Sequence, residues 1–118
     1  MQDVTTPSHL DIENAFNLIA KHINSTPVLT SRSVNTILGC NAYLKCENFQ
    51  RVGAFKFRGA THAILRLSSD EAHNGVITHS SGNHAAALAL AARQRGIPAY
   101  IVMPENAPEI KRKAVAGY

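Results

Sequence analysis

The chain has 118 residues, 45% of them hydrophobic and 17% charged, with a net charge of +4; this is the composition of one globular domain, not of a disordered tract. No stretch approaches the roughly 20 apolar residues of a membrane span, and Met1 to Pro7 lack the basic and apolar regions of a secretory signal, so the expected location is the cytoplasm. The basic residues are scattered, Lys111-Arg112-Lys113 sits beside Glu105 and Glu109, and three Tyr, four Phe and no Trp make no aromatic-studded basic stripe for nucleic acid.

In chain order, Ser8-His9-Leu10-Asp11 has the form of a capping box, and Ile12, Ala15, Phe16, Ile19 and Ile23 follow at helical spacing. This predicts a helix over about 9–23, broken by Asn24-Ser25-Thr26-Pro27. Val28-Leu29 reads as a short extended piece, and 31–38 as a helix stopped by Gly39. Residues 42–47 alternate Ala42, Leu44, Cys46 against Tyr43, Lys45, Glu47, the pattern of a half-buried strand in which Cys46 is a buried, reduced thiol. After a loop over 48–53 comes a helix over about 55–67, with Ala60, Ala63, Ile64 and Leu67 on one face and Ser68-Ser69-Asp70 ending it. The remainder alternates: strand 75–78, loop 79–83, helix 84–95 stopped by Gly96, strand 99–103, and a helix from about Pro108 to the end. Strand–helix–strand with a crossover predicts a parallel sheet. Two or three parallel strands do not cover both faces of such a sheet, so the expectation is a chain cut short before the next strand. The two cysteines, Cys40 and Cys46, fit no redox or zinc spacing, and the six histidines include no helical metal pair.

Two segments carry chemistry. In Gly53-Ala54-Phe55-Lys56-Phe57-Arg58-Gly59-Ala60 a lysine stands between two phenylalanines at the start of a helix. Desolvation there would leave an amine able to form a Schiff base; the alternative is a lysine that merely snorkels past its neighbours. His79-Ser80-Ser81-Gly82-Asn83-His84 joins a strand to a helix at the carboxyl end of the sheet, where parallel sheets bind ligands. Its free N–H groups and hydroxyls suit a carboxylate, while helix capping by Ser81 or Asn83 would account for it without a ligand.

Those two segments, with Lys45-Cys46-Glu47-Asn48-Phe49-Gln50, Gly96-Ile97-Pro98-Ala99-Tyr100-Ile101-Val102-Met103-Pro104 and Thr26-Pro27-Val28-Leu29, resemble the fold-type II pyridoxal-phosphate enzymes. Within that tryptophan synthase β-like superfamily they look like the serine racemase and serine/threonine dehydratase branch. The resemblance covers nearly the whole chain in order. It implies a three-layer α/β/α parallel-sheet fold, incomplete at the C-terminus. Residues 1–70 would belong to the large cofactor domain and 71–118 to an incomplete small α/β domain.

The resemblance also implies roles. Lys56 matches the lysine that holds the cofactor as an internal aldimine and exchanges protons with the substrate Cα; Phe55 and Asn83 join it in cofactor binding, Asn83 at the ring hydroxyl. Ser80, Ser81, Gly82, Asn83 and His84 match the loop that binds the substrate carboxylate. Ser81 matches the racemase serine on the opposite face of the carbanion from the lysine, where many dehydratases carry alanine. The implied activity is dehydration or racemisation of serine or threonine, and the complete enzyme would be a homodimer. The cysteine synthases use a Lys-Asp-Arg motif, from which Phe57-Arg58-Gly59 departs. Some racemases take ATP as an effector; of the matching positions, Glu13, Ser31 and Tyr118 agree, Ser33 also lies in the set, and Arg32, Arg51, Val52 and Ala86 depart, which favours a dimer face or plain surface. The family's glycine-rich phosphate loop, its serine or threonine at the pyridine nitrogen and its divalent-cation site lie C-terminal to this stretch, and the seven glycines here form no rich run. The competing expectation is therefore a truncated, non-catalytic fragment.

Overall fold

The computed structural model describes residues 6–118. The Ser8 hydroxyl accepts the Asp11 N–H at 3.2 Å and the Asp11 carboxylate accepts the Ser8 N–H at 2.8 Å, the reciprocal pair that opens helix α1 (His9–Ile19). α1 ends four residues before the predicted stop, in a turn over 20–22. Only Ile19 of it is buried, while Ile12 and Phe16 are 63% and 54% exposed. The apolar spacing makes the helix without, among the described residues, being covered.

Strand β1 (Val28–Leu29) runs antiparallel to β2 (Leu44–Lys45), with Val28 opposite Lys45 and Leu29 opposite Leu44. Between them lies α2 (Arg32–Leu38), opened by the Ser31 hydroxyl accepting the Val34 N–H and stopped by Gly39 in the left-handed region. The strand predicted over 42–47 is thus two residues long, and both are exposed. Cys46 is a half-buried free thiol, not a buried one. The physical reason lies in Glu47, which is drawn out of the strand into a 3-10 turn (Glu47–Phe49) by a partner on the next helix.

A second such turn, Arg51–Gly53, places Val52 (φ 57) and Gly53 (φ 66) in the left-handed region one after the other. A β-branched residue there costs on the order of 1–3 kcal/mol. The side chain of Gln50, only 3% exposed, braces the turn: its Oε1 accepts the N–H groups of Asn24 (2.9 Å) and Arg51 (3.0 Å), and its Nε2 donates to the Asn24 carbonyl (3.0 Å).

Helix α3 (Lys56–Arg66) buries Phe57, Ala60, Thr61 and Ile64. Ala63, predicted on that face, is exposed. α3 ends just before Ser68, as expected, and Ser68 then caps a further short helix, α4 (Ser69–His73), reciprocally with Glu71. Strands β3 (Val76–His79) and β4 (Ala99–Val102) pair in parallel, with Val76 opposite Ala99 and His79 opposite Val102. The crossover between them is α5 (Asn83–Arg95), stopped by Gly96 in the left-handed region; α6 (Glu109–Ala116) follows β4. Val76, Ala99 and Ile101 pack toward the helices, whereas Ile77, Tyr100 and Val102 on the other face are 72%, 57% and 50% exposed.

The core lies between α3 and α5. Phe57, Ala60 and Ile64 meet Ala87, Leu88, Ala91 and Ala92, and the alanines let the two helices approach closely. At one end of this contact the Arg95 guanidinium donates to the carbonyls of Ile64 and Leu67. The C-termini of the two helices therefore lie together and both run in the same sense. Their N-termini, Lys56 and Asn83, open at the same end.

Candidate active site

Lys56 is the first residue of α3 and is exposed. Its Nζ sits 5.1 Å from the centroid of the Phe55 ring, within range of a cation–π contact; Phe55 itself is 59% exposed. Phe57 is fully buried in the core. The two aromatics do not enclose the lysine as its sequence neighbours suggested, because successive helical residues diverge by about 100° and cannot share one face. The amine stands open at the helix start.

The position of that start is fixed by charge. Arg58 grips Glu47 through both carboxylate oxygens, Nε to Oε2 at 2.9 Å and Nη2 to Oε1 at 2.7 Å. The Thr26 hydroxyl donates to Glu47 Oε1 at 2.6 Å and receives Arg58 Nη2 at 3.3 Å. Lys45 Nζ donates to the Thr26 carbonyl at 2.7 Å. The hydrogen bonds from Arg58, opposed by partial burial and aided by Thr26, hold the Glu47 carboxyl down at about 2. This cluster joins the segment before β1, the end of β2 and the first turn of α3, two residues from Lys56. Thr26, Glu47 and Arg58 all stand within the motifs named above, but their spacing assigns them no role.

The second half of the site is the turn between β3 and α5. The parallel register sets the ends of both strands, His79 and Val102, side by side, and the Ser80 N–H continues the ladder to the Val102 carbonyl at 3.1 Å. The Ser80 hydroxyl accepts the Gly82 N–H at 3.3 Å. α5 then starts with Gly82 as its cap and no side-chain hydrogen bond there, so neither Ser81 nor Asn83 serves as the capping oxygen. The first-turn N–H groups, with the positive end of the helix dipole, are left for an anion. Ser81 and Asn83 are exposed, and Ser80, Gly82 and His84 are half-buried. Lys111 of α6, which the sequence shows only as part of a short basic run, reaches Asn83: Nζ lies 3.4 Å from Oδ1.

The structure thus gathers the predicted residues into two groups, Phe55 and Lys56 opening α3 and the 80–84 turn opening α5, at a common end of the paired helices. An open amine and an uncapped helix start at the carboxyl edge of a parallel sheet suit, respectively, an aldehyde cofactor and an amino-acid carboxylate. Residues 19–118 match the family of pyridoxal-phosphate dependent enzymes. The chain belongs to that family.

Among its relatives, the L-threo-3-hydroxyaspartate ammonia-lyase of Saccharomyces cerevisiae is 55% identical over 112 residues, covering 95% of this chain and 34% of that protein. The serine racemase of Oryza sativa subsp. indica is 56% identical over 107 residues, covering 91% and 32%. The structure superimposes on maize serine racemase with a TM-score of 0.87 at 50% identity, covering 91% of this chain and 32% of that one. On the processed form of threonine deaminase isoform 2 from Solanum lycopersicum it does so with a TM-score of 0.78 at 36% identity, covering 96% and 32%. The α/β fold with its parallel sheet is that of these enzymes. The chain spans about a third of the length of the relatives it matches. Among the described residues no helix is long and apolar enough to cross a membrane.

Proposed function

We propose that this chain carries the lysine-bearing and substrate-binding part of a cytoplasmic pyridoxal-phosphate enzyme that dehydrates or racemises a small hydroxy amino acid: serine, threonine or 3-hydroxyaspartate. The observation that carries the reading is the parallel setting of α3 and α5, which opens Lys56 and the 80–84 turn at one end of the fold. The names of the relatives, racemases and hydroxyaspartate ammonia-lyases among them, support the choice of substrate class. In the complete enzyme residues 1–70 belong to the large domain and 71–118 to the small one, with the α3–α5 contact as their junction. By resemblance that enzyme is a homodimer with a divalent-cation site, and ATP is given no role.

Pyridoxal phosphate, when bound, supplies the electron sink that acidifies the Cα–H of a bound amino acid. Lys56 fits its aldehyde because the amine is exposed, and Asn83 fits its ring hydroxyl, with Phe55 bordering the lysine. The first-turn N–H groups of α5, with Ser80, Gly82 and His84 beside them, hold the substrate carboxylate and so orient the Cα–H bond. The Lys56 amine takes the Cα proton on one face, and the Ser81 hydroxyl gives one back on the other. Loss of the β-hydroxyl as water, followed by hydrolysis that consumes one water, would instead give a keto acid and ammonia. A second reading, that these 118 residues alone are non-catalytic, draws support from their covering about a third of each relative without a glycine-rich phosphate loop.

The test is covalent capture. Pyridoxal phosphate followed by borohydride is expected to label one residue, Lys56, found by peptide mass spectrometry, and Lys56→Ala to abolish the label. Labelling spread over surface lysines, unchanged in Lys56→Ala, overturns the assignment. With L-serine, D-serine lost in Ser81→Ala while pyruvate persists supports the two-face mechanism, and D-serine untouched by that change counts against it.

A further inference from the structure

We propose that Lys111 is a positioning residue for Asn83, turning its amide so that the N–H₂ group faces the site and donates to an anionic ring oxygen of the cofactor. The inference rests on the role given to Asn83 above. An asparagine amide can present either end, and the two orientations are nearly equal in shape. An ammonium is a donor only, so Lys111 accepts one of them: Nζ meets Oδ1, at 3.4 Å, and Nδ2 is directed elsewhere. A phenolic oxygen that loses its proton calls for that donor end.

The placement of Lys111 argues for a purpose beyond folding. It is the third residue of α6 and lies against the first residue of α5, so a cation stands at the positive ends of two helices, where either helix alone would favour an acid. Glu109, the acid of the α6 first turn, is paired with Lys113 at 2.8 Å, and among the described residues no carboxylate lies within ion-pair reach of Lys111. A local rule broken without compensation inside the fold marks a residue kept for a ligand or for the group that holds one. β4 ends level with β3, so the chain leaving β4 brings α6 to the edge where Asn83 sits.

A double-mutant cycle on pyridoxal-phosphate affinity tests this, with amide NMR on the same ¹⁵N-labelled chain. Lys111→Met is expected to weaken cofactor binding about tenfold, Lys111→Arg to restore it, and Asn83→Ala to weaken it similarly. The double variant Lys111→Met/Asn83→Ala is expected to bind no worse than Asn83→Ala, because one residue acts through the other. The melting temperature of Lys111→Met should hold or rise, since a misplaced cation has gone; a fall would mark a structural role and overturn the proposal. Additive losses, the sign of direct attraction for phosphate, overturn it too, as does unchanged affinity in Lys111→Met. If the unsubstituted chain binds no cofactor, the reading of the site fails separately, and the NMR arm still decides the orientation. One Asn83 amide orientation in the unsubstituted chain and in Lys111→Arg, and two in Lys111→Met, support the proposal; the same spectrum in all three sinks it.

Discussion

Arg95, in the last turn of α5, donates to the carbonyl oxygens of Ile64 and Leu67 at the end of α3. A cation placed there satisfies the Leu67 carbonyl, reinforces the Ile64 carbonyl that already accepts the Leu67 N–H, and lies at the negative end of the helix dipole. Arg95→Met keeps the stem and removes the donors. It should lower stability by about 2 kcal/mol, measured by urea unfolding, and Arg95→Lys should recover part of the loss.

The Glu47–Arg58 pair gives the fold an acid limit. The Glu47 carboxyl lies below its usual value of 4.5, at about 2 in the folded chain. Its contribution is therefore complete above the unfolded value and is lost as pH falls from about 4.5 toward 2. The loss should be on the order of 1–2 kcal/mol, because the pair is partly screened by solvent. Asp11 and Glu71, lowered by their Ser8 and Ser68 hydrogen bonds, act in the same direction. Unfolding followed against pH should show a shallower acid limb in Glu47→Gln, together with lower stability at neutral pH.

Two threonines should respond oppositely to the same change. Thr26 is 6% exposed and its hydroxyl is held by Glu47 and Arg58. Thr61 is 3% exposed and its hydroxyl has no protein partner. Thr26→Val should cost about 1–2 kcal/mol, and Thr61→Val should be neutral or stabilise by up to about 1 kcal/mol. Chemical denaturation of both variants checks the pair, and equal losses would show that the hydroxyl contacts do not decide the outcome.

Glycines in the same backbone region differ by what surrounds them. At Gly75 (φ +79) a Cβ would lie 2.4 Å from the Pro98 carbonyl oxygen, while at Gly39 (φ +65) it would meet nothing within 4 Å. Gly75→Ala should cost roughly 3–5 kcal/mol, strain and collision together, and Gly39→Ala about 1 kcal/mol. Thermal unfolding of the two variants gives the comparison.

What can be read from the sequence is what is local. The Ser8 cap and the Ser31 helix with its Gly39 stop depend on residues within a few positions of one another, and the β3–α5–β4 crossover is legible because each of its elements has its own local pattern. Helix α4 is legible in the same way, since Ser68-Ser69-Asp70-Glu71 has the spacing of the Ser8 box, yet the same residues also suit a helix stop. The pairing of β1 with β2 leaves no trace, because two residues show no alternation. Nor can spacing show that Arg58 reaches back to Glu47 and Thr26, or that Arg95 reaches Ile64, since those partners are chosen by the folded chain. At the site, the motifs locate Lys56 and the 80–84 turn, but neighbours in sequence mislead about Lys56. Phe57 turns inward to the α5 alanines and leaves the amine outside.

A sheet of two strands has no interior strand. Among the described residues, β3 and β4 each offer one unpaired row of backbone groups, and nothing covers the face bearing Ile77, Tyr100 and Val102. Such a surface is a template for any strand that can match its register, including the β3 or β4 of another molecule. Handling the isolated chain will thus be a contest with aggregation. Dilute, cold preparations and a charge such as Tyr100→Lys should delay turbidity, while substitutions on the polar side of α6 should not.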